Sequence, residues 1–79
     1  SNATAGTAAL PASQQTLTIT NSNVTDQSLI YITPTSNTYN KVIYVKGKTG
    51  HNNMTPGSFT VSINSPIPYP IEFNWWIIN

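Results

Sequence analysis

Apolar and polar residues alternate with a period of two in several short runs of this chain, and the runs are separated by Pro, Gly, Asn and Ser about every ten residues. That spacing predicts an antiparallel β-sandwich or barrel. The first run, Thr4 to Leu10, is rich in Ala and closes at Pro11. In Gln15 to Thr20, Leu17 and Ile19 share one face and Thr16, Thr18 and Thr20 the other, so one side is buried and one is wet. Asn21-Ser22-Asn23 is a turn signal, after which Val24 is expected to return to the core while Asp26 and Ser28 shape the loop.

Leu29-Ile30-Tyr31-Ile32 is continuously apolar, which predicts a strand covered on both faces, ended by Pro34. A polar loop, Ser36 to Asn40, leads to a fourth run over Lys41 to Lys48. There Ile43 and Val45 are assigned to the core, and Val42, Tyr44 and Lys46 to solvent. Gly50 to Gly57 is a loop. Ser58 to Ile63 is the most regular amphipathic strand, with Phe59, Val61 and Ile63 inward. Asn64 to Pro70 holds three prolines and reads as an extended connection or an edge. The last run, Ile71 to Ile78, places Ile71, Phe73, Trp75 and Ile77 on one face and Glu72, Asn74, Trp76 and Ile78 on the other. Its first half alternates and its second half is apolar on both sides. The expected fold is all-β, an antiparallel β-sandwich of about six short strands.

Length confines this pattern to a single domain over residues 4–79, because 79 residues cannot divide into two cored units. Ser1-Asn2-Ala3 reads as the scar of a removed expression tag. No cysteine is present, so neither a disulfide nor a thiolate metal site supplements the small core, and subunit contacts are an expected source of extra stability. Only 6% of residues are charged, against about 25% in ordinary proteins. Polarity is carried by Ser, Thr, Asn and Gln, 33 of the 79 residues. A net charge of +1, with Lys41, Lys46 and Lys48 as the only basic side chains, is too small to hold a polyanion, so nucleic acid is not an expected partner. No apolar stretch reaches the 18 or more residues that a membrane-spanning helix needs, and no membrane insertion is expected.

The chemistry-bearing residues are equally few. Asp26 and Glu72 are the only acids and His51 the only histidine, short of an acid–base pair with an orienting partner or of a transition-metal ligand set. Asp26 suits a backbone cap, Glu72 a wet strand face and His51 an exposed loop. The reading is therefore non-enzymatic, with no catalytic residue, metal or cofactor. Asn23-Val24-Thr25 and Asn53-Met54-Thr55 are sequons of the kind expected by chance in so Asn- and Thr-rich a chain.

The Trp75–Ile78 segment leaves two readings open. With Trp75 and Ile77 in the core, Trp76 and Ile78 point outward as an apolar pair that soluble monomers rarely keep bare. Burying both against a neighbouring subunit contributes on the order of 3–6 kcal/mol before entropic costs. On that reading Trp76, Ile78 and Tyr44 form an oligomer interface. Alternatively Trp76, with Tyr39 and Tyr69, offers aromatic faces on which a sugar ring can stack.

Gly6-Thr7-Ala8-Ala9-Leu10, a Thr-rich strand, Ile32-Thr33-Pro34-Thr35-Ser36, Phe59-Thr60-Val61 and the terminal Phe73-Asn74-Trp75-Trp76-Ile77-Ile78-Asn79 together resemble the small C-terminal modules of phage tail fibres and bacterial surface proteins. The layout is also similar to the H-type lectin domain. The resemblance implies a six-stranded antiparallel sandwich, a homotrimer, an extracellular, cell-surface or phage-particle location, and, through the lectins, a glycan as partner. The expected function is a structural assembly module at the C-terminus of a larger cell-surface or fibre-like protein, oligomerising through its last strand; the alternative is a lectin-like adhesion module.

Overall fold

The computed structural model describes residues 4–78; Ser1-Asn2-Ala3, expected to be a tag scar, and Asn79 lie outside the described residues. Six strands form: β1 (Ala5–Leu10), β2 (Thr16–Thr20), β3 (Leu29–Pro34), β4 (Tyr44–Thr49), β5 (Ser58–Ser62) and β6 (Ile71–Ile78). They build two three-stranded antiparallel sheets, ordered β1-β6-β3 (sheet A) and β2-β5-β4 (sheet B). The fold class is the one the alternation predicts. The main shift in boundaries is at β4, which begins at Tyr44 rather than Lys41 and runs one residue further, to Thr49.

The inward rows of both sheets meet in one core of Leu10, Val24, Phe59, Val61, Ile63, Ile71, Phe73, Trp75 and Ile77. Leu17, Ile19, Ile30, Ile32 and Val45 on the outer strands, and Ile43 just before β4, pack against it while partly exposed. Phe59 of sheet B meets Trp75 of sheet A edge to face, with ring centroids 5.6 Å apart, the geometry that aromatic quadrupoles favour. Trp75 in turn dictates its neighbour. It lies opposite Gly6 on β1, and a Cβ at Gly6 would sit 2.7 Å from the indole Cζ2.

Buried polar groups are satisfied locally. The Asn21 Oδ1 accepts from the Asn23 N–H at 2.8 Å, and the Ser28 Oγ accepts from the Thr25 N–H at 2.8 Å, which offsets their desolvation. A bulge between Val45 and Gly47 leaves Lys46 without a ladder partner on β5. Beyond it Lys48 falls on the inward row, opposite Phe59, and its Nζ donates to the Ser28 carbonyl just before β3. That bond ties the β4 margin of sheet B to sheet A.

One expectation is overturned. β3 is not covered on both faces: Ile30 and Ile32 turn to the core, but Leu29 and Tyr31 remain exposed. The continuous apolar run encodes one buried row and one bare row, because sheet A has a second sheet on one side only.

Candidate functional site

β6 is the central strand of sheet A, and its outward row runs Glu72, Asn74, Trp76, Ile78. Strand pairing decides what lies beside that row. β3 sets Leu29 opposite Ile78 and Tyr31 opposite Trp76, whereas β1 sets Ala5 opposite Trp76. The two runs that are apolar on both sides are therefore hydrogen-bonded neighbours, and their outward halves merge. Leu29, Tyr31, Trp76 and Ile78 form one apolar patch, 53%, 54%, 39% and 47% exposed respectively. The other half of the same face is polar: Thr7 and Thr33 flank Asn74, and Ala9 faces Glu72. Over this polar half lies a shallow groove of about 320 Å³ lined by Thr7, Ala9, Thr35 and Glu72.

The expected interface residues divide accordingly. Trp76 and Ile78 lie together in the patch, but Tyr44 does not join them. It starts β4 in sheet B, opposite Ser62 and on the outer face of that sheet, so it looks away from the other side of the sandwich. Leu29 and Tyr31, expected to be covered, complete the patch. The signal for them was present, since their run carries the same two-sided apolar signature as Trp75–Ile78.

The residues expected to stack a sugar are also separated. Tyr39 and Tyr69 stack on one another, with centroids 4.8 Å apart and planes 22° from parallel. They occupy the loops at the Pro34 end of β3 and the Ile71 end of β6, whereas Trp76 and Ile78 sit toward the opposite end of sheet A. The Tyr39 loop is held firmly. Tyr39 and Asn40 both adopt left-handed backbone, at φ 55° and 67°. The Asn37 Oδ1 accepts from the Tyr39 N–H at 2.7 Å, and the Lys41 Nζ donates to the Ser65 Oγ at 2.7 Å. Each tyrosine thus covers one face of the other, and the pair clamps loop 35–43 to the proline-rich segment.

Asp26 and His51, at the other end of the sandwich, each bond to backbone. The Asp26 Oδ1 accepts from the Gly50 N–H at 3.0 Å. The His51 N–H donates to the Val24 carbonyl at 3.0 Å, and the ring Nδ1 lies 3.2 Å from the same oxygen. Glu72 starts β6, at the far end, so these three groups do not converge. Among the described residues no group of three or more His, Asp or Glu side chains is placed to hold a metal ion.

The outer face of sheet B is a grid of hydroxyls. Thr16, Thr18 and Thr20 of β2 lie opposite Ser62, Thr60 and Ser58 of β5, and the Thr18 and Thr60 hydroxyls are 3.0 Å apart in a hydrogen bond. A groove of about 400 Å³ crosses this face above Gly47, bordered by Lys46, Thr49 and Thr60. It owes its shape to the bulge and to the missing side chain at Gly47, which has open space above it.

No family profile, curated protein or solved structure matches this chain.

Proposed function

We propose that this domain is a non-catalytic assembly module of a larger cell-surface or fibre-like protein, and that its copies associate through the outer face of sheet A. The observation that supports this is the register of β3 on β6, which gathers Leu29, Tyr31, Trp76 and Ile78 into one bare patch. From their exposures the patch covers roughly 400–500 Å² per copy, the size of the largest apolar patch on a typical monomer, which is often functional. Removing it from water contributes on the order of 10 kcal/mol per copy, comparable with the ~4–15 kcal/mol cost of association. Tyr and Trp are the residues that dominate interface energetics.

A second copy of the same chain is the proposed occupant. The patch carries no charge that would select a partner of opposite sign, so the equally uncharged aromatic patch of another copy suits it. Because both edges of β6 are already paired, association uses the face of the last strand, not its backbone. A homotrimer, the state implied by the likeness to fibre-tip modules, turns three such faces toward one axis. Sedimentation of the domain across a concentration series tests this. A stable oligomer that Trp76→Ser and Tyr31→Ser each weaken is expected; a monomer at every concentration removes the reading.

Glycan adhesion is the second reading, favoured by one observation. Trp76, Asn74 and Glu72 stand in a row on β6, and Thr7 and Thr35 line the groove beside Glu72. An aromatic face with amide, carboxylate and hydroxyl partners alongside suits a sugar. A glycan array would show hits that Trp76→Ala and Glu72→Gln abolish; an array without hits ends this reading.

A further inference from the structure

A two-sheet sandwich of three-stranded sheets has four edge strands, and these four are not equally protected. On the β3 side, Thr35 donates its N–H to the Glu72 carbonyl at 2.8 Å. Alternation of antiparallel bonding then assigns Leu29, Tyr31 and Thr33 to β6 and turns the backbone of Ile30, Ile32 and Pro34 outward. Pro34 has no N–H to offer, so that edge is blunted where it would continue. On β4 the bulge at Lys46 and the inward-pointing Lys48 break the edge, two devices that prevent strand addition.

β1 has neither device. The Ile77 N–H donates to the Thr4 carbonyl at 2.7 Å, so the same alternation assigns Gly6, Ala8 and Leu10 to β6. It leaves the N–H and C=O of Ala5, Thr7 and Ala9 pointing away from the sheet. Among the described residues, no backbone bond fills that side. The register is unbroken over the whole strand, and Ala5–Leu10 contains no charge and no proline.

We infer that the free edge of β1 is a self-recognition edge, which pairs antiparallel with β1 of a second copy about a two-fold axis at Thr7. Pairing outward groups with outward groups sets Ala5 against Ala9 and Thr7 against Thr7, each pair exchanging two N–H···O=C bonds. A second copy is the occupant because the strand suits itself. Its outer row is Ala, Thr and Ala, and its inner row opposite the incoming strand is Gly6 and Ala8. The facing side chains are thus small and neutral, and a cross-strand Thr–Thr pair is favourable. A chain with net charge +1 also opposes self-contact little. The neighbouring edge, β2, turns out the backbone of Thr16, Thr18 and Thr20, since the Ile63 N–H donates to the Gln15 carbonyl at 3.1 Å. There the inner row is the bulkier Leu17 and Ile19, and the Thr18 hydroxyl is already bonded to Thr60. This edge is distinct from the apolar patch on β3 and β6 and does not rest on the assembly reading given to that patch.

The chain lacks cysteine, so a single introduced thiol reports the contact. Under mild oxidation Thr7→Cys is expected to form a disulfide-linked dimer on the order of tenfold faster than Thr18→Cys at the same concentration, because the two-fold brings its thiols together. Trp76→Ser in the Thr7→Cys background is expected to leave that rate unchanged. Thr7→Lys, exposed and outward, is expected to abolish edge dimers while circular dichroism remains that of the parent. Equal rates for Thr7→Cys and Thr18→Cys, loss of cross-linking with Trp76→Ser, or undiminished edge dimers in folded Thr7→Lys would each overturn the inference.

Discussion

Two glycines show how much a single missing side chain decides here. Gly6 is required by a close approach, since the Trp75 indole occupies the space a Cβ would need. Gly6→Ala overpacks that contact and is expected to cost about 1–3 kcal/mol, read as a fall in thermal midpoint of several degrees. Gly47 has open space above it and an ordinary backbone φ. Gly47→Ala is expected to be neutral or to stabilise by up to about 1 kcal/mol through reduced freedom of the unfolded chain. Melting both variants beside the parent checks the pair. A Gly6→Ala protein as stable as the parent would show that Trp75 can move aside. Lys48 is a third single-residue case, because it spans the sandwich to reach the Ser28 carbonyl.

At the scale of elements, β3 and β6 carry the same signature and share it by pairing. Tyr31→Ser and Trp76→Ser are each expected to weaken self-association by about 2 kcal/mol, roughly thirtyfold in dissociation constant. Thr33→Ser, beside Asn74 on the same face, is expected to leave it unchanged. Analytical ultracentrifugation distinguishes these outcomes. The loops at the Pro34 end form a second unit. There the Tyr39–Tyr69 stack and the Asn37 cap hold two consecutive left-handed residues. Tyr69→Ala removes a stack contributing about 0.5–1.5 kcal/mol. Limited proteolysis within residues 35–43 is expected to accelerate, with the strands themselves left intact.

For the whole molecule, scarcity of charge sets the response to salt. An association carried by an apolar patch and neutral backbone groups is expected to change less than about threefold in dissociation constant between low salt and 0.5 M NaCl. A change of an order of magnitude would mean that the few charges carry the contact. Topology sets the kinetics: the first strand pairs with the last, and only β4 and β5 are neighbours both in sequence and in a sheet. Such non-local pairing predicts refolding in milliseconds to seconds, slow for so short a chain, which stopped-flow fluorescence of Trp75 and Trp76 can follow. A face contact and an edge contact on one small domain would together generate extended assemblies.

Alternation by itself determined the strands, the inward rows of β2, β5 and β6, and the outward position of Trp76 and Ile78, because side-chain period in a strand is a local property of the backbone. The scarcity of Asp, Glu, His and Cys likewise narrows the catalytic and metal chemistry that the sequence offers. Pairing was beyond reach of the sequence. Nothing local says that β6 lies between β1 and β3, that Leu29 and Tyr31 therefore adjoin Ile78 and Trp76, or that Tyr44 belongs to the other sheet. The same limit misassigned β3, whose four consecutive apolar residues read as buried on both sides. Whether an outward row is covered depends on what packs across it, and only the arrangement of the two sheets settles that within the chain.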